Sequence, residues 1–246
     1  MEKTDYLLNI LKKDIPEIDD EKINLLIRFY ELTIERNKVM NLTSITDFEE
    51  FCIKHILDSL QLYRIFNPDK TSIKMIDIGT GGGFPGIPLK IAYPSLDITL
   101  FDSLKKRLDF LDEVIEDLKL TNIRTVHGRA EEFGRKPEYR EQFDLIVSRA
   151  VADLTTLSEL AIPFCKINGS FVSYKGNKGN EELEKSKDCI KTLGGKIVDK
   201  QEFELESKNE AYARMLIRID KIYKTDVKYP RGGGKPFKQP LYIEKG

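Results

Sequence analysis

The first 70 residues have the hydrophobic spacing of helices. One predicted helix has its apolar face at positions three or four residues apart, namely Ile23, Leu26, Ile27, Tyr30 and Ile34. A second helix is predicted to open at the capping-box pattern Thr46-Asp47-Phe48-Glu49 and to stop at Asn67-Pro68. We therefore expect an N-terminal helical region over residues 1–70.

From about residue 73 the pattern alternates between short apolar strands and amphipathic helices. Strands are predicted at 73–78, 97–101, 123–126, 143–147, 170–174, 196–203 and 215–222. Helices are predicted at 105–118, 153–162 and about 180–193. This alternation predicts an α/β domain over 71–225 with a mostly parallel, seven-stranded sheet covered on both faces. The last two strands have little helix between them, which predicts an antiparallel strand at the sheet edge.

Composition narrows the class of protein. The chain has 246 residues, of which 40% are hydrophobic, and no stretch approaches the roughly 20 apolar residues of a membrane span. Charged residues interrupt the apolar stretch at the N-terminus, whereas the apolar stretch of a signal peptide is uninterrupted. Cys52, Cys165 and Cys189 are too widely spaced for a disulfide framework or a metal cluster. We expect a cytoplasmic protein with buried thiols, no membrane association and no metal site.

The net charge of −1 is low for a nucleic-acid-binding protein, but it is unevenly distributed. The segment from Lys221 to the end contains seven lysines and arginines and only two acidic residues, Asp226 and Glu244. Its local net charge is +5. A local basic patch is enough to contact phosphates. The segment 226–246 is therefore predicted to be a basic tail packed on or near the domain. Its stretch 229–236 is predicted to be a loop from its glycines and prolines.

The glycine-rich stretch Gly79-Thr80-Gly81-Gly82-Gly83-Phe84-Pro85-Gly86 follows the first predicted strand and precedes an apolar, helical run. Glycines let the backbone pass close to a ligand, and a helix start offers free N–H groups. Dinucleotide-binding enzymes and S-adenosylmethionine-dependent methyltransferases both use such a loop. A purely structural turn is the third interpretation, which the density of glycines disfavours.

Two details favour the methyltransferase interpretation over the dinucleotide one. Asp77, at the end of the strand, suits a ligand with an ammonium and a sulfonium, whereas it would repel a pyrophosphate. Pro85 and Pro88 bracket Gly86, which indicates that this glycine lies at a helix start and not at a helix–strand packing position.

Other candidate ligand-binding residues follow the later strands. Asp102 ends the second strand, where a carboxylate would hold ribose hydroxyls. Ala130 and Glu131 follow the third strand and are expected to face an adenine. Arg149 ends the fourth strand at the ligand-binding edge of the sheet, where it would reach a cofactor carboxylate or a substrate phosphate.

Together these segments resemble the bacterial 16S rRNA methyltransferase G family, also known as glucose-inhibited division protein B. The resemblance covers nearly the whole chain. It rests on Asn41-Leu42-Thr43-Ser44-Ile45, His55-x-x-Asp58-Ser59-Leu60, the glycine loop, Asp102-Ser103, Lys106-Arg107, Arg129-Ala130-Glu131, Ser148-Arg149-Ala150-Val151-Ala152, Lys175-Gly176, Tyr229-Pro230-Arg231 and Gly234-x-Pro236. Arg36 departs from the family pattern, which often has tryptophan there.

The resemblance implies a Rossmann-like class I methyltransferase fold and methylation of nitrogen-7 of a guanosine in a 16S rRNA hairpin near the decoding site. It implies that Gly79, Phe84, Ala130, Glu131 and Arg149 contact S-adenosylmethionine, to which the residue patterns add Asp77, Gly81 and Asp102. The expected partner is 16S rRNA or a precursor of the small ribosomal subunit.

Nitrogen-7 has a free lone pair at neutral pH, so no acid or base residue is expected to be indispensable. The sequence lacks the Pro-Cys pair of cytosine-5 methyltransferases and the Asp/Asn-Pro-Pro-aromatic loop of many amine methyltransferases. His55 is expected to link the helical region to the main domain, and His127 to end a strand.

RNA contact is predicted at Lys175 and Lys178, beside the crevice, and at Arg231, Lys235 and Lys238 in the tail. Tyr229 and Phe237 lie among the tail cations, a mixture suited to exposed RNA bases. A solvated, flexible tail is the competing interpretation. For the whole chain, the alternatives are a small-molecule methyltransferase, an NAD-dependent oxidoreductase and a non-catalytic RNA-binding module.

Overall fold

The computed structural model describes residues 2–68, 73–207 and 210–242. Its centre is one seven-stranded sheet. The strands are β1 (Lys74–Ile78), β2 (Asp97–Asp102), β3 (Ile123–His127), β4 (Phe143–Arg149), β5 (Cys165–Lys175), β6 (Gly195–Glu206) and β7 (Ala211–Lys221). They lie in the order β3-β2-β1-β4-β5-β7-β6. The first five strands are parallel, and β7 runs antiparallel to both β5 and β6.

Ten α-helices accompany the sheet within the described residues. They are α1 (Lys3–Lys12), α2 (Asp20–Asn37), α3 (Phe48–Phe51), α4 (Asp58–Leu60), α5 (Gly86–Ala92), α6 (Lys105–Asp117), α7 (Ala130–Phe133), α8 (Leu154–Ala161), α9 (Gly179–Thr192) and α10 (Lys235–Lys238). Between α3 and α4 the chain forms a π-helical segment, Cys52–Leu57, and short 3₁₀ helices follow at Gln61–Arg64 and Ile162–Phe164.

The predicted architecture is confirmed, with differences at the element boundaries. The antiparallel strand of the final pair is β7. It lies between β5 and β6, and β6 forms the edge of the sheet. Strand β5 begins at Cys165, five residues earlier than predicted, because the Asn168-Gly169 turn is accommodated inside the strand. The predicted capping box is shifted by one residue, since Asp47 accepts the helix-capping hydrogen bond from the Glu50 N–H at 3.0 Å.

Buried side chains fill both faces of the sheet. On one face, the N-terminal helices add Leu26, Phe29 and Phe51 to the core that covers β1 and β2. On the other face, α8 and α9 cover Ile76, Ile146 and Phe171. The N-terminal region is thus part of the same core as the sheet. The predicted boundary between residues 70 and 71 lies outside the described residues.

Arg36, the departure from the family pattern, lies on the surface that joins α2 to α6. Its guanidinium carbon lies 5.8 Å from the centre of the Phe110 ring, and it forms an ion pair with Glu113. The arginine therefore covers an aromatic side chain with its planar head group.

All three cysteines are buried as free thiols. Among the residues with described positions, no group of three or more His, Cys, Asp or Glu side chains is arranged to hold a metal ion. The same part of the chain contains no helix that combines the length and the apolar character needed to cross a bilayer.

Candidate active site

The glycine loop after β1 is tied together by the carboxylate of Asp77. Its Oδ2 accepts hydrogen bonds from the Thr80 hydroxyl at 2.7 Å and from the Gly86 N–H at 2.9 Å. The side chain has no solvent exposure, so it lies beneath the loop and not in an open crevice. The Gly86 N–H at the start of α5, which was expected to be free for a ligand, therefore donates to Asp77 instead. Asp77 thus fixes both ends of the loop from below.

Close approaches of the backbone explain two of the glycines. Gly79 has φ +72°, and a Cβ there would come within 2.3 Å of Val151 Cγ2. At Gly86 a Cβ would come within 2.3 Å of Leu100 Cδ2 on β2. Gly86 therefore begins α5, as expected, and also packs tightly against a strand. Gly86 thus occupies a helix–strand packing position, contrary to the sequence-based expectation.

Burial gives Asp77 an unusual protonation behaviour. Desolvation raises its pKa from 3.8 to about 7. The hydrogen bonds from Thr80 and Gly86 and the positive charge of Arg149 lower the pKa, but they do not outweigh the desolvation. Its Oδ1 has no hydrogen-bond partner among the described residues.

Because the pKa of Asp77 is raised in the folded state, its stabilising contribution is complete below the unfolded value and is lost as the pH rises through about 7. We expect Asp77→Asn to remove this loss. The free energy of unfolding, measured for both proteins at pH 5.5 and 8.5, should shift in favour of the variant at the higher pH. Asp109→Asn, an exposed control on α6, should track the wild type. A constant difference between D77N and wild type at the two pH values would contradict the assignment.

Asp102 lies at the end of β2 and lines a cavity of about 300 Å³ at the carboxyl ends of the strands. Its Oδ2 accepts from the Gly81 N–H at 2.9 Å and its Oδ1 from the Leu104 N–H at 2.8 Å. A carboxylate has about four acceptor positions, so each oxygen keeps capacity for a ligand hydroxyl. Gly79 lines the same cavity, whereas Gly81 reaches the site through its bond to Asp102.

The segment after β3 forms the next wall of this cavity. Ala130 and Glu131 line it together with Gly128 and Arg129, and Leu160 of α8 lines it as well. Both predicted residues are nearly buried, at 9% and 4% exposure. The cavity therefore brings together four of the predicted cofactor residues, namely Gly79, Asp102, Ala130 and Glu131.

Arg149 lies in an ion cluster outside that cavity. Its Nη1 donates to Asp58 Oδ2 at 2.8 Å, and Arg214 of β7 donates to both oxygens of Asp58 at 2.7 Å. The side chain of Asp58 is only 3% exposed. Arg149 borders two further cavities of about 560 and 510 Å³, which it shares with Arg214. Ala150 lines these two cavities and the one at Asp102, so all three meet at the end of β4.

His55 joins the helical region to this cluster, as expected. Its ring stacks on Phe84 with centroids 4.5 Å apart, Nδ1 lies 3.2 Å from Arg149 Nη2, and Nε2 lies 2.7 Å from the Thr43 hydroxyl. Burial and the Arg149 charge lower its pKa to about 3, so the ring is neutral. Phe84 also packs on Phe29 and Phe51, so the N-terminal helices support the glycine loop from outside.

The predicted RNA-contacting residues differ in their availability. Lys175 is not a free cation, because it donates to the Ala152 carbonyl at 2.6 Å and pairs with Glu182 at 2.8 Å. Arg231 pairs with Glu159, whose side chain is fully buried. Lys178 borders the 560 Å³ cavity. Lys235 and Lys238 are exposed on α10.

Tyr229 was expected to stack on RNA, but it is buried, with 8% exposure, and packs in the core below α8. Phe237 is half exposed. Asp58, Arg214 and Leu104 also border these cavities, and the sequence did not predict them as site residues. The pattern His55-x-x-Asp58 was the one available indication, and it was interpreted as a packing contact.

Comparisons with known proteins identify one family. The family model for rRNA small subunit methyltransferase G matches residues 22–211. Ribosomal RNA small subunit methyltransferase G of Lachnoclostridium phytofermentans is 51% identical over 217 residues, which cover 88% of each chain. The protein of the same name from Clostridium novyi is 44% identical over 236 residues, or 96% of each chain.

Solved structures share the fold at low sequence identity. M. jannaschii TYW2 in complex with AdoMet aligns with a TM-score of 0.52 and 17% identity, over 68% of this chain and 76% of that one. This likeness supports the Rossmann-like architecture alone. The family match and the curated relatives span most of the sequence, including the glycine loop and the strand ends that form the cavity. The chain therefore belongs to the rRNA small subunit methyltransferase G family.

Proposed function

We propose that this protein transfers a methyl group from S-adenosylmethionine to nitrogen-7 of a guanosine in the decoding-region hairpin of 16S rRNA. The observation that carries the proposal is the cavity at the ends of β1, β2 and β3, with Asp102 and Glu131 in its walls. This cavity lies in a chain whose relatives are named ribosomal RNA small subunit methyltransferase G. The substrate is 16S rRNA or a small-subunit precursor in the cytoplasm.

The residues present fit the cofactor. When bound, S-adenosylmethionine supplies an electrophilic methyl group on a sulfonium. The Asp102 carboxylate keeps free acceptor positions for ribose hydroxyls, and Gly79 lines the same cavity. Ala130 and Glu131 bound the adjacent space, which suits a purine. Asp77, Gly81 and Phe84 hold the loop in place, and Arg149 borders the point where cofactor and target cavities meet.

The surroundings of β4 suit a displacement that needs no base. Guanine nitrogen-7 offers its lone pair directly, so the protein has to align it with the methyl group. His55 is neutral and engaged on both nitrogens, and His127 contacts the Ser103 carbonyl. Either larger cavity beside Arg149 has the volume for a nucleotide that has turned out of its stack.

Three of the predicted RNA-contacting lysines are exposed. Lys178 lines the 560 Å³ cavity at Arg149, and Lys235 and Lys238 lie on the tail, within the proposed basic segment 226–246. Lys175 and Arg231 are both paired with carboxylates, so we assign them an indirect role at the RNA interface. Each holds in place the segment that carries it. In this proposal, the helical region 1–70 supports the domain 71–225, and the domain 71–225 carries out the methyl transfer.

The test is incubation of the protein with labelled S-adenosylmethionine and small-subunit rRNA that lacks the modification. We expect label at one guanosine, with strand scission there after reduction and aniline treatment, which is diagnostic of 7-methylguanosine. Fully modified rRNA should accept no label. Label on another atom, label on a small molecule only, or RNA binding without transfer would contradict the proposal. NAD, offered in the same binding assay, should not compete with the cofactor.

A further inference from the structure

Phe237, in the C-terminal segment, faces the cavity that contains Asp102. Phe237 is 50% exposed, and it lines that cavity together with residues of the domain 71–225. Leu104, 51% exposed, lines it as well. Two large apolar side chains that are about half exposed therefore border the cavity that contains Asp102. Such exposed apolar surface around a cavity suits a flat, largely apolar ligand group.

Two contacts with α8 fix the position of Phe237. Arg231 donates its backbone N–H and its guanidinium to the buried Glu159, with Nη2 to Oε2 at 2.6 Å. Beyond the glycines, the Thr156 hydroxyl donates to the Pro236 carbonyl at 3.1 Å. Pro236 itself is buried. Because α8 also contributes Leu160 to the cavity, the segment that carries Phe237 is held against one of the cavity walls.

We propose that Phe237 is a cofactor-binding residue, which packs its ring against the adenine and completes the adenosine end of the site. This inference rests on the proposed function. Asp102 marks the ribose position in the same cavity, and the flat group attached to a ribose is its base. An aromatic ring on one side and the Leu104 side chain in the same cavity provide apolar contact for that base. The C-terminal segment thus serves the cofactor and not only the RNA.

The chain contains no tryptophan, which permits a direct spectroscopic test. Phe237→Trp introduces a single tryptophan at the cavity, and Tyr223→Trp introduces one at a position that is 69% exposed and does not line it. Titration with S-adenosylhomocysteine should change the emission of F237W in a saturable manner. The emission of Y223W should stay constant.

Affinity measurements by calorimetry complete the test. Phe237→Ala should weaken the binding of S-adenosylhomocysteine about tenfold, a loss typical of one aromatic contact. Methylthioadenosine, which lacks the amino-acid end, should lose affinity by the same factor, and Tyr223→Ala should change neither. Unchanged melting temperatures would establish that each variant is folded.

Different outcomes separate the two proposals. Binding by the wild type with no change in F237W emission and no loss in F237A would overturn the role of Phe237 and leave the proposed function intact. A loss for S-adenosylhomocysteine but not for methylthioadenosine would move Phe237 to the amino-acid end and overturn the adenine contact. Failure of the wild type to bind either ligand would count against the proposed function itself.

Discussion

Replacing Asp58 with alanine should lower the free energy of unfolding by about 3–5 kcal/mol, the cost typical of breaking a buried ion pair from one side. Asp58 is 2% exposed and accepts hydrogen bonds from Arg149 and Arg214. Its removal leaves two guanidinium groups facing each other with no carboxylate between them. Arg149 is also nearly buried, with 11% of its side chain exposed.

Chemical denaturation at pH 7 measures the effect. Asp117→Ala is the matched control, because its bidentate partner Arg28 lies at the surface. That variant should be nearly as stable as the wild type. If D58A and D117A were equally stable, the cluster would not hold the N-terminal helices to the sheet.

The location of Asp58 gives this cluster its structural importance. It begins α4 in the N-terminal region, whereas Arg149 ends β4 and Arg214 lies on β7. One carboxylate therefore connects the helical extension with two strands of the sheet. The same two arginines border the cavities proposed for the target nucleotide, so D58A should also weaken methyl transfer by releasing Arg149 from its position.

The sequence predicted the features that depend on neighbouring residues. Strand ends, the glycine loop and Asp102 follow from local periodicity and from the rule that ligands bind at the carboxyl ends of parallel strands. Asp102, Ala130 and Glu131 were placed in one cavity by this reasoning, and the structure brings them together. Local patterns suffice here because each residue stands immediately after a recognisable strand.

Pairings between distant residues were not predictable in the same way. Arg149 lies 91 positions from Asp58, and Arg231 lies 72 positions from Glu159. Counting charges in the tail suggested free cations, but a count does not reveal which of them meet a buried carboxylate. Composition likewise gave Tyr229 and Phe237 the same role, although packing below α8 buries the first and leaves the second at the cavity.

Asp102→Ala should weaken cofactor binding by about 100-fold or more, because hydrogen bonds to a charged group contribute about 1.5–3 kcal/mol each. The variant loses the acceptors proposed for the ribose. It also loses the carboxylate that holds the Gly81 and Leu104 N–H groups at 2.9 and 2.8 Å. The glycine loop would then be free to leave the cavity wall that it forms with Val151.

Calorimetry with S-adenosylhomocysteine and methyl-transfer kinetics with rRNA test this expectation together. Since the proposed role of Asp102 is to hold the sugar and not the reacting atoms, we expect kcat/KM for the cofactor to fall far more than kcat at saturating cofactor. Asp109→Ala removes an exposed carboxylate from α6 and should change neither quantity. A D102A protein that binds within threefold of the wild type would contradict the placement of the ribose at Asp102, which lines the 300 Å³ cavity.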